Sequence, residues 1–143
     1  MKNMNWLIFA LIAIGGYALF NFFLMFSADK ISAPIGVAII GSMTVVVALI
    51  AIISMNISGQ EFLITSDGIK FAILAGLFTA IAELAYYIMY LKGTNLSIGT
   101  PLVVGGTILI ATILGVIILS ETLSIVKIIG VITTIVGIIL LSM

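Results

Sequence analysis

The chain has 143 residues, 64% of them hydrophobic and only 7% charged, and its five lysines balance five acidic residues for a net charge of zero. Soluble domains carry about a quarter charged residues, so a mean hydropathy of +1.50 places this chain outside that class. A neutral chain offers no basic surface for nucleic acid, and the lack of cysteine and histidine removes disulfides and the usual zinc or haem ligands, so neither metal nor cofactor is expected.

Five apolar stretches follow one another, at 6–26, 33–55, 69–91, 98–119 and 125–143. Each holds roughly 19–23 residues, and about 20 helical residues cross a ~30 Å hydrocarbon core. Continuous rather than alternating hydrophobicity excludes strands, and lipid tolerates only helices or closed barrels. The expected fold is therefore all-α and integral to the membrane, with five transmembrane helices in one domain over 1–143. Lys2 and the first run resemble a signal peptide loosely. The run is too long, however, and Phe26-Ser27-Ala28 puts a large side chain where cleavage needs a small one. The triplets Asn56-Ile57-Ser58 and Asn95-Leu96-Ser97 fit a glycosylation pattern, but short loops produce such matches by chance.

Within the first span, Asn21 lies deep in the apolar run, and Tyr17 stands one turn away on the same face. The connections are short apart from the one around 56–68, so neighbouring helices are expected to run antiparallel. Ser66 or Asp67 is a candidate cap for the third helix, and Ser124 for the fifth.

The third span holds the one charge that is not in or beside a loop. Glu83 lies about 12 Å along the helix from the nearer end. A carboxylate there costs about 2.5–3.5 kcal/mol on insertion scales, so it should face protein or water. Helical spacing puts Gly76, Thr79, Ala80, Glu83, Tyr86, Tyr87 and Tyr90 on one face, opposite Leu74, Phe78, Ile81, Ala85 and Ile88. Two readings stay open for Glu83. It binds a cation or carries a proton in a hydrated, aromatic-lined cavity, or it is a hydrogen-bonded acid that locks two helices together. Tyr87 and Tyr90 also fit the aromatic belt of a membrane surface.

In the fourth span, Thr107 and Thr112 are expected to bond back to their own backbone. Gly105-Gly106, following Pro101, is either a soft point for gating or a packing notch. In the fifth, Gly130, Thr133, Thr134 and Gly137 make a small-residue stripe that suits close helix packing. Lys2, Lys70 and Lys127 fall on one side of the expected topology, and Lys30 and Lys92 on the other. So small an excess does not choose an orientation, which makes insertion both ways round a specific expectation.

With these residues in place, the chain resembles the drug/metabolite transporter superfamily, as one EamA-type repeat of five helices. Leu119-Ser120-Glu121-Thr122-Leu123-Ser124, with Gly130 and Val136-Gly137-Ile138-Ile139-Leu140 after it, is similar to that family's Leu-Gly-Glu-x-Leu-Thr turn and glycine-bearing last helix. Gly76-Leu77-Phe78-Thr79-Ala80 with Tyr86-Tyr87 looks like its third helix, and Tyr17-Ala18 stands where a Trp-Gly pair is common. Short relatives often carry basic residues where this chain has Met25, Phe26, Gly41-Ser42 and Ile88, and Glu83 falls where an aromatic is usual.

Two-repeat relatives form the substrate path between inverted repeats. A single repeat therefore implies a homodimer, and antiparallel pairing would agree with the lysine balance. The resemblance implies a secondary transporter of a small organic molecule, a metabolite or drug-like cation, in the plasma or inner membrane of a prokaryotic cell. Proton coupling falls to Glu83, and substrate contacts to Glu83, Tyr86, Tyr87, Thr79, Tyr17 and Asn21. An acid among aromatics favours a cation. The alternative is a non-transporting membrane subunit, a lipid-handling helper or a heterodimer partner. No nucleophile–base pair can be assembled, so an enzyme is not expected.

Overall fold

A computed structural model describes residues 5–142 of the chain. They form five helices: α1 (Asn5–Ala28), α2 (Ala33–Ile57), α3 (Ser66–Leu91), α4 (Leu96–Ile117) and α5 (Ile125–Ser142). Four of them, α1 to α4, are long and apolar enough to cross a membrane. The chain is thus an all-helical, membrane-embedded protein. The fifth helix begins at Ile125 as the sequence predicts and is the shortest of the five. With Met143 outside the described residues, α5 has 18 residues, a rise of about 27 Å, just short of a ~30 Å core.

α1, α2 and α3 extend beyond their apolar runs, whereas α4 starts two residues before its run and stops at Ile117, two residues before the run ends. Thr65, not Ser66 or Asp67, caps α3: its Oγ1 accepts the Gly68 N–H at 3.1 Å. Asp67 instead pairs with Lys70 at 3.0 Å within the first turn. Ser124 caps α5 as expected, accepting the Lys127 N–H at 3.3 Å. Pro34 sits in the first turn of α2, where its missing N–H leaves no bond unmade. At the end of α2, Gly59 (φ 67°) takes the left-handed conformation. Its N–H reaches Asn56 O at 3.1 Å and the Gln60 N–H reaches Met55 O at 3.1 Å, the paired bonds of a Schellman cap.

Two compact units divide the chain, one over Phe22–Lys92 and the other formed by the segments before and after it. In the first, α2 packs on α3. Gly36 lies flush against the Tyr87 ring, where an added Cβ would overlap the ring atoms and the hydroxyl. In the second, α4 packs on α5. Here the notch is Gly105, which the Ile138 methyl fills, while Gly106 faces open space. Gly105 is therefore a packing notch in a helix that continues past Pro101.

Of the small-residue stripe of α5, Thr134 reaches the Gly105 notch of α4, its methyl 3.9 Å from where a Cβ would be, while the two glycines make no close approach. Gly130 and Gly137 have no atom within 4 Å of where a Cβ would be, and Thr133 and Thr134 donate to Ile129 O and Gly130 O. The register of the pair aims the branched Ile138 of α5 at a glycine of α4, so the groove lies on the opposite helix. Glu121 is a turn residue: its N–H bonds Gly115 O at 3.0 Å, and its carboxylate lies against the bare face of Gly115.

Candidate functional site

The α3 face that carries Glu83 is not uniform along its length. Gly76, Thr79 and Ala80 are exposed, Glu83 and Tyr86 half-buried, and Tyr87 and Tyr90 buried. Over the last two turns the expected contrast between faces holds, since Ile81, Ala85 and Ile88 are exposed there. Toward the start of α3 it vanishes, because both faces are exposed. Near its end α3 is covered by the start of α2, at Gly36, and by the end of α1, at Ser27, both of which meet Tyr87.

Tyr87 is 0% exposed. Its hydroxyl donates to Ser27 O at 2.9 Å, a carbonyl that also accepts the Lys30 and Ile31 N–H groups at 3.0 and 3.1 Å. Carbonyls at the end of a helix have no partner within it, so Tyr87 completes the α1 terminus while its ring fills the Gly36 notch. Leu24, Ala28 and Ala33 are buried as well. Tyr87 is thus an anchor closed off from solvent, not a wall of a hydrated cavity. Sequence reasoning missed Ser27 and Gly36, although the small residues Ala28, Ala33 and Gly36 carry the composition of a close helix contact.

Tyr86 and Tyr90, one turn apart, stack with ring centres 5.1 Å apart at 27°, and the Tyr90 hydroxyl donates to that of Tyr86 at 3.3 Å. Glu83 lies one turn before Tyr86. Among the described residues its carboxylate meets no hydrogen-bond or ion-pair partner. Among the described residues it therefore ties no second helix to α3. The other described ionised side chains lie in turns or at helix ends, and Lys30, for example, sits over the Phe26 ring at 5.3 Å. Thr79 is exposed and turns its hydroxyl to Ala75 O at 2.8 Å. Thr107 and Thr112 bond back in the same way, to Val103 O and Ile108 O, which leaves their oxygens as acceptors only.

Tyr17 and Asn21 lie on α1 in the other unit. Though one turn apart, Tyr17 is 70% exposed and Asn21 only 5%. Tyr17 meets the Phe20 ring edge-on at 6.4 Å. The buried Oδ1 of Asn21 has no donor among the described residues, an arrangement that costs about 1–3 kcal/mol unless a donor arrives.

The α3 group can accept a positive charge: a carboxylate in an apolar layer, followed by a stacked aromatic pair. Comparison with family models, with characterised proteins and with solved structures finds no match to this chain.

Proposed function

We propose that this chain is a secondary transporter that carries a small organic molecule, a metabolite or drug-like cation, across the membrane as a homodimer. The observation that carries the reading is Glu83, half-buried in the middle of a membrane helix and without a partner among the described residues. A carboxylate so placed costs about 2.5–3.5 kcal/mol, and groups retained at that cost line ion or proton paths. Binding a proton or a cation removes the charge, so one group can exchange the two. The stacked Tyr86 and Tyr90 add aromatic surface beside it, which favours cationic or aromatic solutes.

A single repeat resembling the EamA type needs a second copy to make an inverted pair. The lysine distribution, three against two, supports an antiparallel arrangement. Two Glu83 groups in one dimer would titrate as a pair. Glu83→Gln keeps the side chain's shape and removes its charge, so coupled uptake in proteoliposomes is expected to fall at least tenfold with helical content unchanged. Undiminished uptake by that variant rules out the coupling role.

A non-transporting subunit would bury the same face against a partner. Ala80 separates the two readings, because it is exposed and the chain has no cysteine. In a transporter, Ala80→Cys reacts with a water-soluble thiol reagent in the intact membrane. A subunit that seals this face leaves it unreactive.

A further inference from the structure

The linker between α2 and α3 is held at both ends and unsupported between them. The Gly59 cap closes α2, and the Thr65 cap opens α3. Between the caps, Phe62 is 46% exposed, Leu63 92% and Ile64 74%. Three consecutive apolar side chains facing outward from a loop are unfavourable in water. The α1–α2 and α3–α4 connections do not share this composition, since Asp29-Lys30 and Lys92-Gly93-Thr94-Asn95 are mostly polar; in the α4–α5 connection the exposed Ile118 and Leu119 simply continue the apolar end of α4 and are followed by Ser120 and Glu121.

Geometry supplies the cover. Both flanking helices are long and apolar enough to cross the membrane, so the linker that joins them lies at a bilayer surface. Packed helices stand roughly 8–10 Å apart. The eight residues 58–65 reach about 26 Å when extended, which leaves slack for the middle to turn toward lipid. Charge brackets the apolar run, with Glu61 before it and the exposed Asp67–Lys70 ion pair after it. That pattern, apolar between charges, suits the boundary between headgroups and acyl chains.

We propose that Phe62, Leu63 and Ile64 form an interfacial anchor that inserts into the bilayer at the level of the glycerol and upper acyl carbons. The anchor holds the α2–α3 hairpin at a set depth, and it does not depend on what the protein transports.

Trp6 is the only tryptophan in the chain, so Trp6→Phe gives a silent background for a probe. Leu63→Trp and Phe62→Trp are each made in that background and reconstituted as full chains in phosphatidylcholine vesicles, with native helicity confirmed by circular dichroism. The expected result is a blue-shifted emission that aqueous acrylamide barely quenches. Lipids brominated near the headgroup end of the chain should quench it more strongly than lipids brominated near the terminal methyl. A red emission readily quenched by acrylamide overturns the proposal, as does a blue emission that no brominated lipid quenches, which would place the side chains against protein. Two probe positions keep the test decisive if one substitution prevents folding.

Discussion

The two helical hairpins solve one packing problem with different chemistry. In α2–α3 the side chain entering the glycine notch is Tyr87, and in α4–α5 it is Ile138. Both let two backbones approach closely, which drives association where lipid offers no hydrophobic gain. The isoleucine contact is dispersion alone, and its terminal methyl can swing aside. The tyrosine contact is directional, because its hydroxyl is tied to Ser27 O and its ring has no room to move. One hairpin can adjust, and the other holds the end of α1, the start of α2 and the end of α3 in one arrangement. Glu83 lies one turn before that fixed point, so the rigid hairpin is the one that positions the charge.

Gly36→Ala should break this comparison most severely. Overpacking a well-filled site costs about 1–3 kcal/mol, and Gly36 belongs at the upper end because the Tyr87 ring cannot yield. Thermal unfolding in detergent measures it, with Gly41→Ala as the control, since Gly41 faces open space in the same helix. Gly105→Ala should fall at the lower end, near 1 kcal/mol, because Ile138 has other rotamers; Gly106→Ala is its neutral control. Equal losses at Gly36 and Gly105 would mean that the polar tie adds no rigidity.

Smaller changes sharpen the contrast. Tyr87→Phe keeps the ring in its notch and deletes one hydrogen bond, for an expected loss of about 0.6–1 kcal/mol. The loss is modest because Ser27 O retains two N–H donors. A loss above 2 kcal/mol would show that the hydroxyl matters more than the ring. The smallest effect has the opposite sign. Ser120 has φ 54°, a conformation that costs an L-residue roughly 1–2 kcal/mol, and glycine gives back about 0.4–1 kcal/mol through its freer unfolded state. Ser120→Gly is therefore expected to stabilise the α4–α5 hairpin by about 0.5–1 kcal/mol, and any destabilisation would refute that turn geometry.

Much of the helix map was legible because hydropathy responds to bilayer thickness. It fails at the ends, where caps govern: α3 begins at Ser66 rather than 69 because polar residues 66–68 continue the helix past its apolar run. The back-bonded threonines were legible too, since that bond lies within a single helix. Glu83 stood out by charge alone. Tyr87 was assigned to the right face with the wrong surroundings, because periodicity gives a direction around an axis and says nothing of what covers it. Between α4 and α5 the small-residue signal sits on both helices, and only their register selects Gly105 over Gly130 and Gly137.

Composition and span length determined by themselves that this is a membrane-embedded helical chain with a solitary carboxylate inside one helix. Those properties follow from the transfer of residues between water and lipid, which acts on each segment separately. Only the tertiary structure decided that Tyr87 is an anchor, that Gly36 and Gly105 are the notches, and that Glu83 has no partner among the described residues. Each of these is a relation between atoms distant in sequence, and helix register and the turns between helices set it.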